Sequence, residues 1–156
     1  MQISYQSDGS VLASTKNKSV RLGAQVVIDN YVVPGAGEYD VAAIQCEAHA
    51  FSDGLAYFVH LEDLTISYLT TLTTELTKLD EASSTDILVV DLRSDNTAEQ
   101  FKPILKALEP SYVFLTGSGA TPELIEKLGL TKQEGDNLKV TKSSLPMEGT
   151  FLISQS

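Results

Sequence analysis

Two histidines and a glutamate are the side chains of this sequence that are best suited to holding a metal ion. Glu47 and His49 stand two residues apart in one strand-like run, and His60 stands in the next run. Imidazole nitrogens and carboxylate oxygens on one face of a sheet are suitable ligands for transition metals. Ordinary surface or interface histidines, one of them paired with Glu47, explain the same residues without a metal. The spacing leaves both interpretations open.

A short glycine-rich segment, Gly117-Ser118-Gly119, stands where a predicted strand leads into a predicted helix. Free N–H groups at the start of a helix can hold a phosphate or a carboxylate, so these residues are candidates for ligand binding. The segment matches neither the G-x-x-x-x-G-K nor the G-x-G-x-x-G phosphate-binding pattern. A plain connecting loop is therefore the alternative interpretation.

Asp91 and Arg93 lie at the C-terminal end of an apolar run, residues 86–92. Ligands of open α/β sheets bind at the carboxyl ends of the strands, so both side chains are candidate ligand-binding residues. Solvated turn residues, with Asp95 or Asn96 capping the next helix, are the alternative. No serine stands in a G-x-S-x-G elbow, and the sequence offers no assignable catalytic residue.

The elements that would position these residues begin with an antiparallel meander. Turn residues at positions 7–10, 16–18 and 34–37 separate short alternating or apolar runs, which are typical of strands. The predicted strands of this part cover residues 2–6, 11–15, 19–22, 25–28 and 39–51.

The dipeptide Asp53-Gly54 predicts a tight hairpin turn that leads into a strand at residues 55–61. The expected register places Ser52 opposite Leu55. In that register one face of the hairpin is apolar and belongs to the core, whereas the other face carries the histidines and Glu47.

Phe51 and Phe58 share that second face with the titratable groups. Phenylalanine exposed on an outer strand lowers solubility, so another layer or a partner surface is expected to cover both rings. Phe51 and Phe58 are therefore the predicted interface residues.

The second part of the chain alternates between strand and helix patterns. Apolar runs of strand length predict buried strands, and apolar residues at helical spacing predict amphipathic helices. The predicted strands cover residues 65–69, 86–92, 112–115, 138–141 and 150–154, and the predicted helices cover residues 73–82, 97–108 and 121–129. Strands in the first part of the chain, followed by alternating strands and helices, predict the α/β (α+β) class. The expected architecture is mixed β-sheets packed with helices, in one domain that covers residues 1–156.

The composition indicates which partners and which cellular compartment to expect. The chain has 156 residues, with 21 acidic and 11 basic side chains and a net charge of −10, which is unfavourable for nucleic acid or anionic lipid. We expect no nucleic-acid partner and no membrane partner. The N-terminal residues do not resemble a signal peptide, so a cytoplasmic location is expected. Cys46 is the only cysteine, which excludes an internal disulfide.

Residues 33–44, with the sequence V-P-G-A-G-E-Y-D-V-A-A-I, resemble the P-G-E-Y-E-V-x-G-I segment of bacterial metallo-β-lactamase-fold hydrolases of the broad UlaG-like group. The order of the later motifs is also similar, through the strand at residues 86–90 to the segment L-P-M-E-G-T-F at residues 145–151. The resemblance covers residues 33–154. It implies a reduced metallo-β-lactamase-like αββα sandwich.

Catalysis in that family depends on an H-x-H-x-D-H cluster, which holds zinc and lowers the pKa of its bound water. The cluster is absent here, because the chain passes between Ile28 and Pro34 directly from one strand to the next. The resemblance places the later bridging aspartate at Thr71 and the last histidine ligand at Gly117. Neither residue type can replace the ligand, which implies a truncated relative without a metal or other cofactor.

The resulting hypothesis is a non-catalytic interaction or ligand-binding module that self-associates, most simply as a homodimer. A hydrolase with a relocated or inter-subunit active site, built around His49, His60 and Glu47, is the alternative. A third possibility is a hetero-partner that supplies the missing half of the fold.

Overall fold

In the computed structural model, which describes residues 1–154, the alternating runs of the first part of the chain form an antiparallel sheet. The inward positions of its first four strands are apolar and enter the core, whereas both residues of its edge strand at Tyr31–Val32 are exposed. This first sheet contains β1 (Gln2–Tyr5), β2 (Val11–Ser14), β3 (Ser19–Leu22), β4 (Val27–Ile28), β5 (Tyr31–Val32) and, paired with β1, β13 (Asn137–Lys139).

The second sheet is mixed, because a four-stranded antiparallel meander continues into parallel strands. Its strands are β6 (Gly37–Val41), β7 (Ile44–Phe51), β8 (Gly54–Leu61), β9 (Leu64–Leu69), β10 (Ile87–Asp91), β11 (Tyr112–Thr116), β12 (Thr131–Glu134) and β14 (Phe151–Ser154). Their order across the sheet is β12-β14-β11-β10-β9-β8-β7-β6. The carboxyl ends of β9, β10 and β11 therefore meet at one edge.

Two apolar clusters hold three layers together. The first cluster lies between the two sheets, and the second lies between the second sheet and the helices α1 (Ala98–Leu108) and α2 (Pro122–Leu128). Within residues 1–154 the buried side chains of both α-helices belong to the second cluster. The described layers are thus helix, sheet and sheet, and the expected fourth, helical layer is not seen on the first sheet.

Both α-helices begin and end where capping residues predict. Thr97 and Gln100 form a capping box at the start of α1. Thr121 accepts from the N–H of Leu124 at the start of α2, and Gly129 ends this helix in the left-handed conformation.

The predicted strand at residues 39–51 is two strands joined by a tight turn. Ala42 and Ala43 both have positive φ, at 53° and 63°. A two-residue hairpin turn usually takes glycine or asparagine at such positions, so the sequence carries no signal for this turn.

The predicted register of the next hairpin is wrong by two residues. Phe51 pairs with Gly54, so Ser52 and Asp53 form the turn. A Cβ on Gly54 would lie 2.7 Å from Thr70 Oγ1, which shows that this glycine serves the close approach of β9 and not the turn. A shift of two residues keeps each side chain on its predicted face.

The predicted helix at residues 73–82 is replaced by two short 3₁₀ helices, Thr74–Lys78 and Asp80–Ser84. Leu79 between them is extended, with φ −80° and ψ 134°. Leu76 is buried in the second apolar cluster, as the helical spacing of the apolar residues predicted. Threonines at the start of this segment are β-branched and favour an α-helix less than straight-chain residues do.

Two short strands were not predicted, because Tyr31–Val32 has only two residues and Thr131–Glu134 carries no apolar residue. The strand expected at residues 138–141 lies at Asn137–Lys139. None of the helices formed by residues 1–154 is long and apolar enough to cross a membrane.

Candidate functional site

A cleft of about 500 Å³ opens between the two sheets, at the edge where β10 and β11 end. This is the side on which open α/β sheets bind ligands, and the volume lies in the ordinary range for small-molecule sites. The polar side chains of its lining come from both sheets and the segments that join their strands: Asp8, Ser10, Arg21, Gln25, Tyr68, Asp91 and Thr116.

Asp91 is the last residue of β10 and pairs with Thr116 on β11. The strand before it is fully buried, so the backbone of β10 fixes the carboxylate at the floor of the cleft. The Asp91 side chain is half-buried, and within residues 1–154 its carboxylate makes no hydrogen bond or ion pair. Asp91 is thus a predicted candidate that the structure places in a cleft.

Arg21 approaches the cleft from β3 of the first sheet. Its Nη1 donates to Ser10 Oγ at 2.9 Å and lies 3.5 Å from Asp8 Oδ2. Ser10 Oγ and the N–H of Ser10 both donate to Asp8 Oδ1, at 2.6 and 3.0 Å. These bonds, followed by the Arg21 charge, lower the pKa of Asp8. The guanidinium therefore has partners within the protein.

Tyr68 on β9 forms part of the wall between the sheets. Its hydroxyl donates to the Gly23 carbonyl at 3.2 Å, which ties β9 to the first sheet. Burial raises the pKa of Tyr68, and the nearby charges of Asp91 and Tyr57 raise it further. The phenol is therefore neutral and offers its oxygen lone pairs as acceptors.

The Gly117-Ser118-Gly119 loop is explained by packing. A Cβ on Gly117 would collide with Asp91 Oδ1, and a Cβ on Gly119 would lie 2.7 Å from the Arg93 carbonyl carbon. The N–H of Gly119 donates to the Leu92 carbonyl at 2.9 Å. The N–H of Gly119 is therefore used within the protein, and the exposed Ser118 does not line the cleft.

Arg93 points to the β7–β8 hairpin and not to the cleft. One of its Nη2 hydrogen bonds goes to the Asp53 carbonyl, and another goes to the Thr70 carbonyl at 3.0 Å. Arg93 Nη1 also lies 3.6 Å from Asp53 Oδ2. The structure therefore does not bring Arg93 into the cleft with Asp91, because its hydrogen bonds hold it at the hairpin.

The two positions that the resemblance assigns to metal ligands do not fit a metal. Thr71 is buried, and its hydroxyl donates to Asp53 Oδ1 at 2.6 Å. Gly117 has no side chain, and no histidine lines the described part of the cleft. Residues 1–154 contain no group of three or more histidine, cysteine, aspartate or glutamate side chains that could hold a metal ion. The zinc chemistry of the fold family has no ligand set here.

The two histidines and the glutamate that the sequence offered as a metal site do not lie close together as a set of three. His49 pairs with Ala56, and His60 pairs with Gln45. Gln45 and His49 stand four residues apart on β7, so the two histidines lie roughly 13 Å apart along the strands. His49 Nε2 lies 3.7 Å from Glu47 Oε2, and His60 Nδ1 lies 3.1 Å from Thr65 Oγ1. The structure therefore does not bring His49, His60 and Glu47 together within one chain.

The chain itself covers the phenylalanines that were predicted to form an interface. Phe58 is fully buried in the second apolar cluster, between the second sheet and the chain's own helices. Phe51 is half-buried and packs against the same cluster. The expectation that Phe58 faces a partner is wrong, because the chain's own elements replace the partner.

Tyr68, Arg21, Asp8 and Ser10 are site residues that the sequence reasoning missed. Each lies on a predicted strand or turn, but the cleft forms only where segments around residues 8–27 meet those around residues 91–117. The available signal was Arg21, a charged side chain within an alternating strand. The sequence alone does not say which distant residue it faces.

Comparisons with known proteins bear on the fold. No protein-family model matches the chain, and no curated protein shows a significant match. A crystal structure from Thermotoga maritima, described as that of a candidate zinc-dependent hydrolase of the metallo-β-lactamase superfamily, matches with a TM-score of 0.73 and 12% identity. The match covers 100% of this chain and 100% of that chain. The predicted metallo-β-lactamase-like α/β fold is confirmed, and at this identity the likeness concerns the fold alone.

Proposed function

We propose that this chain is a non-catalytic relative of the metallo-β-lactamase-fold hydrolases and that it binds a small polar ligand in the cleft between its sheets. One observation carries the proposal. Thr71 and Gly117, which stand where the resemblance expects metal ligands, are committed to internal contacts, whereas the cleft beside them stays open.

The chemistry of these residues supports a cleft that binds a ligand and does not hold a catalytic metal. A catalytic zinc needs three protein ligands and an open position for water. A hydroxyl that is already bonded to Asp53 and a residue without a side chain cannot supply them. Asp91 and Tyr68 can still bind a ligand by hydrogen bonds, because their oxygens face a space of ligand size.

The experiment that tests the proposal combines metal analysis with hydrolysis assays on the same purified protein. We expect less than one tenth of an equivalent of zinc, iron or manganese (a practical threshold of about 0.1). We also expect no hydrolysis of ester, lactone or phosphodiester probes above the rate in buffer. A stoichiometric metal, together with hydrolysis that a chelator abolishes, would overturn the non-catalytic assignment.

The alternative is a hydrolase with a relocated or inter-subunit site. Because His49 and His60 are well separated in the chain, the alternative would depend on Asp91, a carboxylate of the cleft that is not paired with Arg21. Metal-independent hydrolysis that is lost in Asp91→Asn and kept in Asp95→Asn would favour this alternative.

Membership of the UlaG-like group and a shortened chain belong to the proposal as well. They are supported by the segment at residues 33–44 and by the direct passage from β4 to β5 through Asp29 and Asn30. The cytoplasmic location stays a prediction.

Self-association and a hetero-partner also stay predictions. With Phe58 buried, the large apolar side chains that the described residues expose are Met147 and, on the edge strand β5, Tyr31 and Val32, the last two by 42% and 45%. Light scattering on the purified chain measures its mass directly. A dimer mass is the expected result, and a monomer at every concentration would contradict it.

A further inference from the structure

The hydroxyl groups of Tyr68 and Thr116 present hydrogen-bond acceptors to the cleft, because their hydrogens are already donated to the protein. The Tyr68 hydroxyl donates to the Gly23 carbonyl, and the Thr116 hydroxyl lies 3.4 Å from the Val90 carbonyl as a donor. Both hydroxyl groups therefore turn their hydrogens to the protein and their lone pairs elsewhere. A hydroxyl oxygen that has donated its hydrogen can only accept from a ligand.

The charged side chains of the cleft, like its hydroxyl groups, favour a ligand that donates hydrogen bonds. Asp8 and Ser10 bind the Arg21 guanidinium, which supplies the positive charge of the lining. The Asp91 carboxylate has no such partner within the part of the chain that the structure describes. A carboxylate between two packed sheets loses part of its hydration, and a ligand cation restores the lost interaction. The uncompensated charge of the cleft is therefore negative.

From these acceptors and this charge we infer that the cleft takes a small organic ammonium ion, with its N–H groups on Asp91 and Tyr68. This inference rests on the proposed ligand-binding function and names its ligand class. An ammonium group has three donors and no acceptor, so it complements two acceptors of this kind. The net charge of −10 raises the local concentration of cations around the chain.

A metal cation fits the same lining less well. Mg²⁺ and Ca²⁺ take six or more oxygen ligands, usually with several carboxylates, and Asp91 is the one carboxylate of the described lining that is not engaged by Arg21. An anion would meet the net negative charge of the lining, because Arg21 is paired with Asp8 and the Asp91 carboxylate is left without a cation.

The test is a titration of the whole ¹⁵N-labelled chain, followed by amide chemical shifts. Four probes are compared: n-butylammonium, butyrate, n-butanol and Mg²⁺. Saturable shifts that centre on Asp91, Thr116 and Gly117 are expected with n-butylammonium, and butyrate and n-butanol should give none there. This comparison uses the unmodified chain and does not depend on the folding of a variant.

Variants then assign the binding to the carboxylate. Asp91→Asn should weaken n-butylammonium at least tenfold, which corresponds to about 1.4 kcal/mol. Asp95→Asn, at an exposed aspartate outside the described cleft lining, should change the affinity by less than twofold. Tyr68→Phe should weaken binding as well, and the amide spectrum of each variant reports whether it is folded.

Three results would overturn the inference: no binding of n-butylammonium, equal binding of butyrate, or unchanged affinity in folded Asp91→Asn. Tighter, site-centred binding of Mg²⁺ would also overturn it. The proposed function is judged separately, since metal content and hydrolysis decide whether the chain is catalytic. A chain that fails this titration and carries no metal remains non-catalytic, with a different ligand class.

Discussion

The hydroxyl of Thr71 donates a hydrogen bond of 2.6 Å to the carboxylate of Asp53, across 18 residues of sequence. This bond joins the end of β9 to the turn between β7 and β8. In the family that the sequence resembles, the same region carries a metal ligand. Here the bond strengthens the contact between the end of β9 and the β7–β8 turn.

Replacing Thr71 by valine should lower the free energy of unfolding by about 1 kcal/mol. Valine keeps the shape of the buried side chain and loses its hydrogen bond, whereas Asp53 stays hydrated because it is largely exposed. Urea unfolding measures the change. Thr131→Val, at an exposed threonine on β12, is the matched control and should stay within about 0.5 kcal/mol of the original chain.

Arg93 and Thr71 should be coupled energetically, because both bind Asp53. A double-mutant cycle of Arg93→Gln and Thr71→Val is expected to give a coupling free energy of about 0.5 kcal/mol. The value is modest because the Arg93–Asp53 ion pair is solvent-exposed. The cycle of Thr71→Val with Arg21→Gln is the control, and additive effects in both cycles would contradict the shared role of Asp53.

Local signals in the sequence predict the elements that local chemistry determines. Thr97 with Gln100, and Thr121 with Gly129, define the starts and ends of the helices because capping satisfies the backbone within a few residues. The same signals fail where packing decides. The Asp53-Gly54 turn is displaced, because Gly54 is required by its contact with Thr70.

Exposure and site geometry are less predictable, since both depend on distant segments. Phe58 shares a strand face with titratable groups, which indicated a surface, but the helices that cover it come much later in the chain. Asp91 was predicted from its place at a strand end, and this place is correct. Its neighbours Arg21 and Tyr68 become neighbours only when the two sheets pack together.

Gly117→Ala should destabilise the chain more than Gly149→Ala. Both glycines have nearly the same positive φ, 86° and 84°, so the strain of a left-handed alanine is shared at about 1 kcal/mol. An added Cβ at Gly117 would also collide with Asp91 and Leu92, whereas none of the described atoms lies within 4 Å of one at Gly149.

The difference between these two variants isolates the packing of the loop against β10. It should amount to a further 1 to 3 kcal/mol, roughly the cost of overpacking, when both are measured by urea unfolding. Equal destabilisation would mean that the loop can move away from Asp91, and the structural explanation of the glycine would fail.

Tyr5 connects the two sheets through a single hydroxyl group. It donates to the Ile153 carbonyl at 2.8 Å and accepts from the N–H of Leu115 at 3.1 Å. Burial raises the pKa of Tyr5 to about 12, against a bond from Leu115 that lowers it. The folded chain therefore binds the phenolic proton more tightly than the unfolded chain does.

This shift predicts a loss of stability in alkali with a defined sign. Because the folded pKa is raised, the contribution of Tyr5 is complete below the ordinary pKa of 10.0 and is lost as the pH rises towards about 12. The free energy of unfolding should fall as the pH rises from 10.0 towards about 12, and that of Tyr5→Phe should fall less steeply. Tyr31→Phe, at an exposed tyrosine, should keep the original slope. Identical slopes for Tyr5→Phe and the original chain would show that the buried hydroxyl does not govern this transition.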